Sequence, residues 1–307
     1  MNNLDVIVMG AINMDILVHV DQYPKYGANV PAKNLEINVG GKGSNQAVAV
    51  AKQHVNQTLI GSIGNDDFGK QILSSLENSG VKTDHLIIKD DVQTGTAVAA
   101  VDNTGENTFM VVLGANNSIT SSDIDAAMKN LNAKVFLVNL ETSQESVLAA
   151  LKIAKSKDMY IVLDPAPENS YFEESLKYAD VVTPNKQETE RITGVKVETI
   201  ADGKKAAKII ANKGVKNVIV KLGESGNVLY ESEKDLFTII KATRVKAVNT
   251  VGAGDTFAGV LSAHLAKNPN NLVEAIEIAS KAAAIKVSRS GGHEAIPTLE
   301  EINQFEY

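Results

Sequence analysis

Cysteine is absent from the 307 residues, so neither a disulfide nor a thiolate metal site can form. Lysine and arginine nowhere cluster, and 30 of them against 37 acidic residues leave a net charge of −7. Nucleic acids and anionic membrane surfaces are thereby excluded as natural partners. No apolar run approaches the roughly 20 residues that span a bilayer. Met1-Asn2-Asn3-Leu4-Asp5 lacks the basic start and apolar core of a signal peptide, so a soluble, cytoplasmic protein is expected. In that setting the sequons at Asn56 and Asn116 carry no meaning. The five histidines, His19, His54, His85, His264 and His293, show no metal-ligand spacing. No repeat, low-complexity tract or long linker divides the chain, which is 44% hydrophobic, and a single domain over residues 1–307 is the expectation.

What the chain does contain is a regular alternation. Val6-Ile7-Val8-Met9 is a short apolar run ending at Gly10, as suits a buried parallel strand opening into a site. After Asn117, predicted helices 121–131, 144–155, 186–192 and 202–212 interleave with strands 135–140, 160–163, 181–183 and 218–221. This is the pattern of βαβ units, a parallel sheet with helices on both faces. Leu59 to Ile63 reads as a further strand, and 228–230 with 237–240 as a hairpin. Residues 16–40 and 94–113 have strand pattern without interleaved helices and predict a small projecting β-sheet.

Two glycine clusters stand out. In Asn249-Thr250-Val251-Gly252-Ala253-Gly254-Asp255-Thr256-Phe257 a tight turn feeds the start of a buried helix. Free backbone N–H groups and the positive end of the helix dipole make such a turn an anion site. A carboxylate there, Asp255, either caps the helix or takes a proton. Gly40-Gly41-Lys42-Gly43-Ser44-Asn45-Gln46 lets another molecule approach the backbone ahead of a helix running from Gln46. It is not a Walker A loop, and neither cluster has the Gly-x-Gly-x-x-Gly spacing after a strand that a dinucleotide-dependent oxidoreductase would need.

The two clusters, in this order, resemble the paired signatures of the ribokinase family of carbohydrate kinases. Asn13-Met14-Asp15, Asp164-Pro165-Ala166-Pro167, Thr183-Pro184-Asn185-x-x-Glu188 and Leu222-Gly223-x-x-Gly226 follow the family's order and spacing, so the resemblance covers the whole chain. It implies a three-layer α/β/α sandwich with a mostly parallel central sheet, a small β-sheet lid from residues 16–40 and 94–113, and a homodimer through that lid. The implied reaction is ATP-dependent phosphorylation of D-ribose at the 5-hydroxyl. In that scheme Asn13, Met14, Asp15, Gly41, Lys42, Gly43, Ser44, Asn45 and Glu141 hold the sugar. Asp255 takes the proton, and the amides of Gly252, Ala253 and Gly254 stabilise the phosphoryl oxygens. Asn185, Lys221, Leu222, Gly223, Glu224, Ser225, Gly226, Gly254 and Ser280 line the ATP site, and Glu188 acts on Mg²⁺ through water. The resemblance also implies a monovalent cation, K⁺, held by Asn249, Val251, Lys286, Arg289 and Gly291. Here the chain departs from the pattern, because Asn249 stands where an aspartate is usual and Ala295 where a serine often ligates. Weak K⁺ binding is the expectation. The alternatives are a kinase for deoxyribose or a ketose, and a non-catalytic sugar- or nucleotide-binding regulator, which the presence of Asp255 disfavours.

Overall fold

The computed structural model describes residues 2–103 and 107–305. The chain runs β1 (Asn2–Met9), β2 (Asn13–Val20), β3 (Ala32–Gly40), α1 (Lys42–Ala51), β4 (Gln57–Ile60), β5 (Ser62–Gly64), α2 (Asp67–Asn78), β6 (Ile87–Lys89), β7 (Gly95–Val101) and β8 (Asn107–Val112). Then come α3 (Ser121–Met128), β9 (Leu131–Asn139), α4 (Gln144–Ser156), β10 (Tyr160–Asp164), β11 (Val181–Val182), α5 (Lys186–Thr193), α6 (Ile200–Ala211) and β12 (Asn217–Lys221). A hairpin of β13 (Asn227–Glu231) and β14 (Leu236–Ile240) precedes α7 (Ala253–Lys267), α8 (Leu272–Val287) and α9 (Leu299–Gln304).

The large sheet has the order β14-β13-β12-β11-β10-β9-β1-β4; it is parallel from β4 to β12, with the hairpin antiparallel at one edge. Alternation along each strand serves two cores. Val6 and Val8 of β1, with Val135 and Leu137 of β9, pack against α1, α2, α7 and α8. Ile7 and Met9, with Phe136 and Val138, pack against α3, α4 and α6. Each such side chain, fully buried, contributes roughly 1.5–3 kcal/mol, which is why residues 6–9 of β1 and 135–138 of β9 are unbroken apolar runs. The result is three layers, α/β/α. Among the described residues no helix is long and apolar enough to cross a membrane.

A separate four-stranded sheet, β3-β2-β7-β8, is built from the two segments expected for it. The tip of its β7–β8 hairpin, residues 104–106, lies outside the described residues. Two local expectations need correction. The predicted strand 59–63 is two strands in different sheets: Gly61 separates β4 from β5, and a Cβ there would lie 2.7 Å from the Ile12 Cδ1 and 2.8 Å from the Gly10 carbonyl oxygen. Helix α1 begins at Lys42 rather than at Gln46, so four of the expected loop residues form its first turn. Gly41 is its N-cap, at φ 88°, and its Cβ position is closed by the Ala11 carbonyl at 2.6 Å.

Candidate active site

The polar residues of interest gather at the C-terminal ends of the parallel strands, where open α/β sheets place their ligands. Beyond β1 come Gly10 and the start of β2; at the end of β9, Asn139 and, just beyond it, Glu141; at the end of β10, Asp164; and at the end of β12, Lys221. The N-termini of α1 and α7 face this rim.

Gly252, in the left-handed conformation at φ 78°, turns the chain into α7, whose start receives no side-chain cap. Asp255 is therefore not a cap. Its carboxylate, 4% exposed, accepts from Asn45 Nδ2 at 2.9 Å and lies 3.7 Å from Lys42 Nζ. Since the Asn45 amide donates to Asp255, its Oδ1 must accept, and His293 Nε2 donates to it at 3.0 Å. Burial lowers the His293 pKa to about 4, so the ring is a neutral fixed donor. His293 had no assigned role in the sequence, where only metal-ligand spacing was sought.

Three further carboxylates surround this pair. Glu141 accepts the Lys42 backbone N–H at 2.9 Å, and burial raises its pKa despite the nearby Lys42 charge. Asp15, on β2, is raised to about 6 by burial and then by the Asp255 charge. Its carboxylate lies over Gly40, where a Cβ would come within 2.0 Å of Oδ2. Asp164, fully buried and raised by desolvation, accepts from Gln46 Nε2 at 2.9 Å and has Lys221 Nζ at 3.6 Å. The Asp255 charge, then those of Asp164 and Glu141, push the Lys42 pKa well above the usual lysine range. Lys42 is thus the fixed positive charge that makes this acidic cluster tolerable. Asn13 is oriented by Asn116, which donates to its Oδ1 at 2.8 Å while also bonding the Ile12 backbone in both directions. Asn116 was legible only as a sequon; it is a buried bracket.

The expected sugar-binding set, Asn13 to Asp15, Gly41 to Asn45 and Glu141, is brought together with Asp255. The expected nucleotide set is more dispersed in its contacts. Lys221 Nζ would lie 3.5 Å from a Cβ on Gly254, so β12 does reach α7. Leu222 is buried, while Gly223, Glu224 and Ser225 form an exposed turn closed by Gly226 at φ 89°. Ser280 is already engaged: its hydroxyl accepts from Asn227 and donates to the Ile276 carbonyl. Asn185 and Glu188 form a capping box on α5, with both Glu188 oxygens accepting from Asn185, and burial raises the Glu188 pKa. Among the described residues no three acidic or imidazole groups cluster as a metal cage. A magnesium ion carried by phosphates keeps its waters and needs few carboxylates; the Asp164 Oδ1, buried without a hydrogen-bond partner, and Glu188 would hold it through water.

The residues expected for K⁺ do meet, since the Val248 and Asn249 N–H groups both donate to the Val287 carbonyl at the end of α8. They do not fit the ion. Asn249 Oδ1 accepts the Val251 N–H at 3.0 Å, the Arg289 N–H takes the Lys286 carbonyl at 3.2 Å, and Ala295 is apolar. The Gly291 carbonyl accepts from the Lys286 ammonium at 3.0 Å. The sequence pattern points to the Lys286 backbone, whereas in the fold it is the side chain that enters the site.

Residues 3–299 match the pfkB family carbohydrate kinase. A ribokinase of Staphylococcus aureus (strain COL) is 34% identical over 301 residues, 97% of this chain and 98% of its own length. A deoxyribokinase of Salmonella typhi is 31% identical over 306 residues, 98% of each chain. The structure of Arabidopsis thaliana ribokinase complexed with ribose and ATP is similar at a TM-score of 0.89 and 27% identity, covering 99% of this chain and 100% of that one.

Proposed function

The chain belongs to the pfkB family of carbohydrate kinases and is a sugar kinase; from that premise we propose that it transfers the γ-phosphoryl group of ATP to the 5-hydroxyl of D-ribose, giving ribose 5-phosphate and ADP. The observation that carries this reading is the placement of Asp255: a buried carboxylate in the first turn of α7, fixed by Asn45 and Lys42, beside amides that no side chain caps. Asp255 takes the hydroxyl proton as the sugar oxygen forms its bond to the γ-phosphorus and the bond to the β–γ bridging oxygen breaks. The Gly252, Ala253 and Gly254 amides meet the charge on the phosphoryl oxygens, so catalysis is mostly positioning and electrostatics. Mg²⁺, when bound with the nucleotide, supplies further charge neutralisation.

Asn13, Asp15 and Glu141, with Lys42 and the 41–45 turn, offer the amide and carboxylate oxygens that grip vicinal hydroxyls. The Asn185, Glu188 and Lys221–Gly226 region, with Gly254 and Ser280, receives ATP. The β3-β2-β7-β8 sheet closes over the sugar as a lid on a single domain, in the cytoplasm, and two lids pair in a homodimer. The deoxyribokinase relative keeps deoxyribose as the rival substrate. Ribose is favoured because a site with this many buried polar groups is left unsatisfied by an analogue lacking one hydroxyl. ADP release measured over a panel of pentoses and hexoses tests this: the highest kcat/KM is expected for ribose, and a higher value for deoxyribose or a ketose would overturn it.

A further inference from the structure

Lys286 is 2% exposed at the end of α8, and its side chain turns away from solvent into the gap between two loops. One loop, 289–294, supplies the Gly291 carbonyl that the ammonium bonds at 3.0 Å. The other, 249–254, leads into α7: the Lys286 Cε lies 3.6 Å from where a Cβ on Gly252 would be, with the Asn45 Nδ2 next at 4.0 Å. The charge is answered by Glu294 and Asp255, whose fields offset part of the desolvation that lowers its pKa. A lysine buried here is costly unless paired, so the position calls for a cation. The same spot is where the expected K⁺ ligands converge, and there the formal carboxylate is replaced by Asn249 and the side-chain hydroxyl by Ala295.

We propose that the Lys286 ammonium is a tethered replacement for the monovalent cation: it bridges the 289–294 loop to the turn at Gly252, holds the amides of that turn in place, and makes this chain independent of K⁺. The two departures from the expected cation site then have one cause. An ammonium brought by the chain needs neither the negative charge lost at position 249 nor the hydroxyl lost at 295, and a K⁺ ion beside it would meet like charge. Lys286 is a positioning residue, acting through the 252–254 turn. This rests on the sugar-kinase reading of that turn, but the ion specificity can be read without any sugar.

The test compares KCl with tetramethylammonium chloride at equal ionic strength, by thermal melting and by ADP release, for the parent, Lys286→Met and Lys286→Ala. The parent should show the same Tm and the same turnover in both salts. Lys286→Met keeps the bulk without the charge and should lose turnover at least tenfold in either salt. Lys286→Ala opens the space; it should lose turnover in tetramethylammonium, recover with K⁺, and gain a K⁺-specific rise in Tm of roughly 3–5 °C, as an ion at about 100 times its Kd would give. A K⁺-specific Tm rise or activation in the parent overturns the proposal, and that arm decides even if both variants fail to fold. Unchanged turnover in both variants overturns it too. Loss in Lys286→Ala without K⁺ rescue reduces Lys286 to a structural tether, also against the proposal. If the parent releases no ADP with any sugar yet melts identically in both salts, the kinase reading fails while the ion exclusion stands.

Discussion

Asp255 and Asp15 are two carboxylates of one cluster with opposite consequences for stability and turnover. Asp255 caps nothing, so Asp255→Asn leaves the start of α7 intact and preserves one oxygen to accept from Asn45. The expected outcome is an unchanged Tm with kcat lowered by on the order of 10²–10⁴, the range of a positioned base; turnover within a factor of a few of the parent would remove it from that role. Asp15 is instead a burden on the empty fold. Its pKa rises from 3.8 to about 6 through burial and the Asp255 charge. Well below pH 3.8 both folded and unfolded states are protonated and nothing is lost; as pH climbs through the window the unfolded chain ionises first. By pH 7 the full penalty, on the order of 3 kcal/mol at 1.36 kcal/mol per pKa unit, opposes folding. Asp15→Asn should therefore raise Tm at pH 7.5, with the gain shrinking as pH falls through 6 toward 4. It should also raise the sugar KM by roughly 10-fold or more, since a charge-assisted hydrogen bond is lost. Melting curves at pH 4.5 and 7.5 that differ from the parent by the same amount would show that ionisation is not the cause.

Helices α1 and α7 carry the two halves of the site, and a glycine sets their separation. A Cβ on Gly259 would lie 2.6 Å from the Ala49 Cβ and 2.7 Å from the Gln46 carbonyl oxygen, neither of which can swing aside. In Gly259→Ala, helix propensity returns about 1 kcal/mol while overpacking costs about 1–3. With two backbone-anchored contacts the upper end applies, so a net loss near 2 kcal/mol is expected. Forcing the helices apart also carries Asn45 and Gln46 away from Asp255, so kcat should fall with Tm. A more stable variant of normal kcat would mean that the helices are free to part. The existence of both helices was legible because their apolar runs follow glycine turns, as were the parallel strands themselves from their apolar cores. The start of α1 at Lys42 was not, because three early glycines and a serine read as loop until the Ala11 carbonyl is there to take the Gly43 and Ser44 N–H groups. Likewise Asn116, His293 and the Lys286 side chain act through partners that the sequence gives no means to locate; each belongs to a polar pair closed by a neighbour the fold delivers.

At the scale of the whole molecule the unresolved demand is the outer face of the smaller sheet. Register places Ile37 of β3, Ile16 of β2, Val98 of β7 and Met110 of β8 in one row across it, and period-2 alternation turns Asp15 to the opposite face. Ile37 is 48% and Met110 63% exposed, with Leu35 and Val112 on the same face also open to solvent. A contiguous apolar face of this kind on a four-stranded sheet is more than a lone surface ordinarily leaves to water. A second copy, laying the same row against its own, would cover it by two-fold symmetry without any new partner. Light scattering at micromolar concentration should accordingly give about twice the 32.7 kDa of one chain. Ile37→Lys combined with Met110→Lys places four buried ammonium groups in such an interface and should yield a monomer whose large sheet melts much as before. Because the same sheet carries Asp15 on its other face, loss of the dimer should raise the sugar KM more than it lowers kcat. A monomeric parent at those concentrations, or a double variant that remains dimeric, would place the contact elsewhere and leave the exposed row to another explanation.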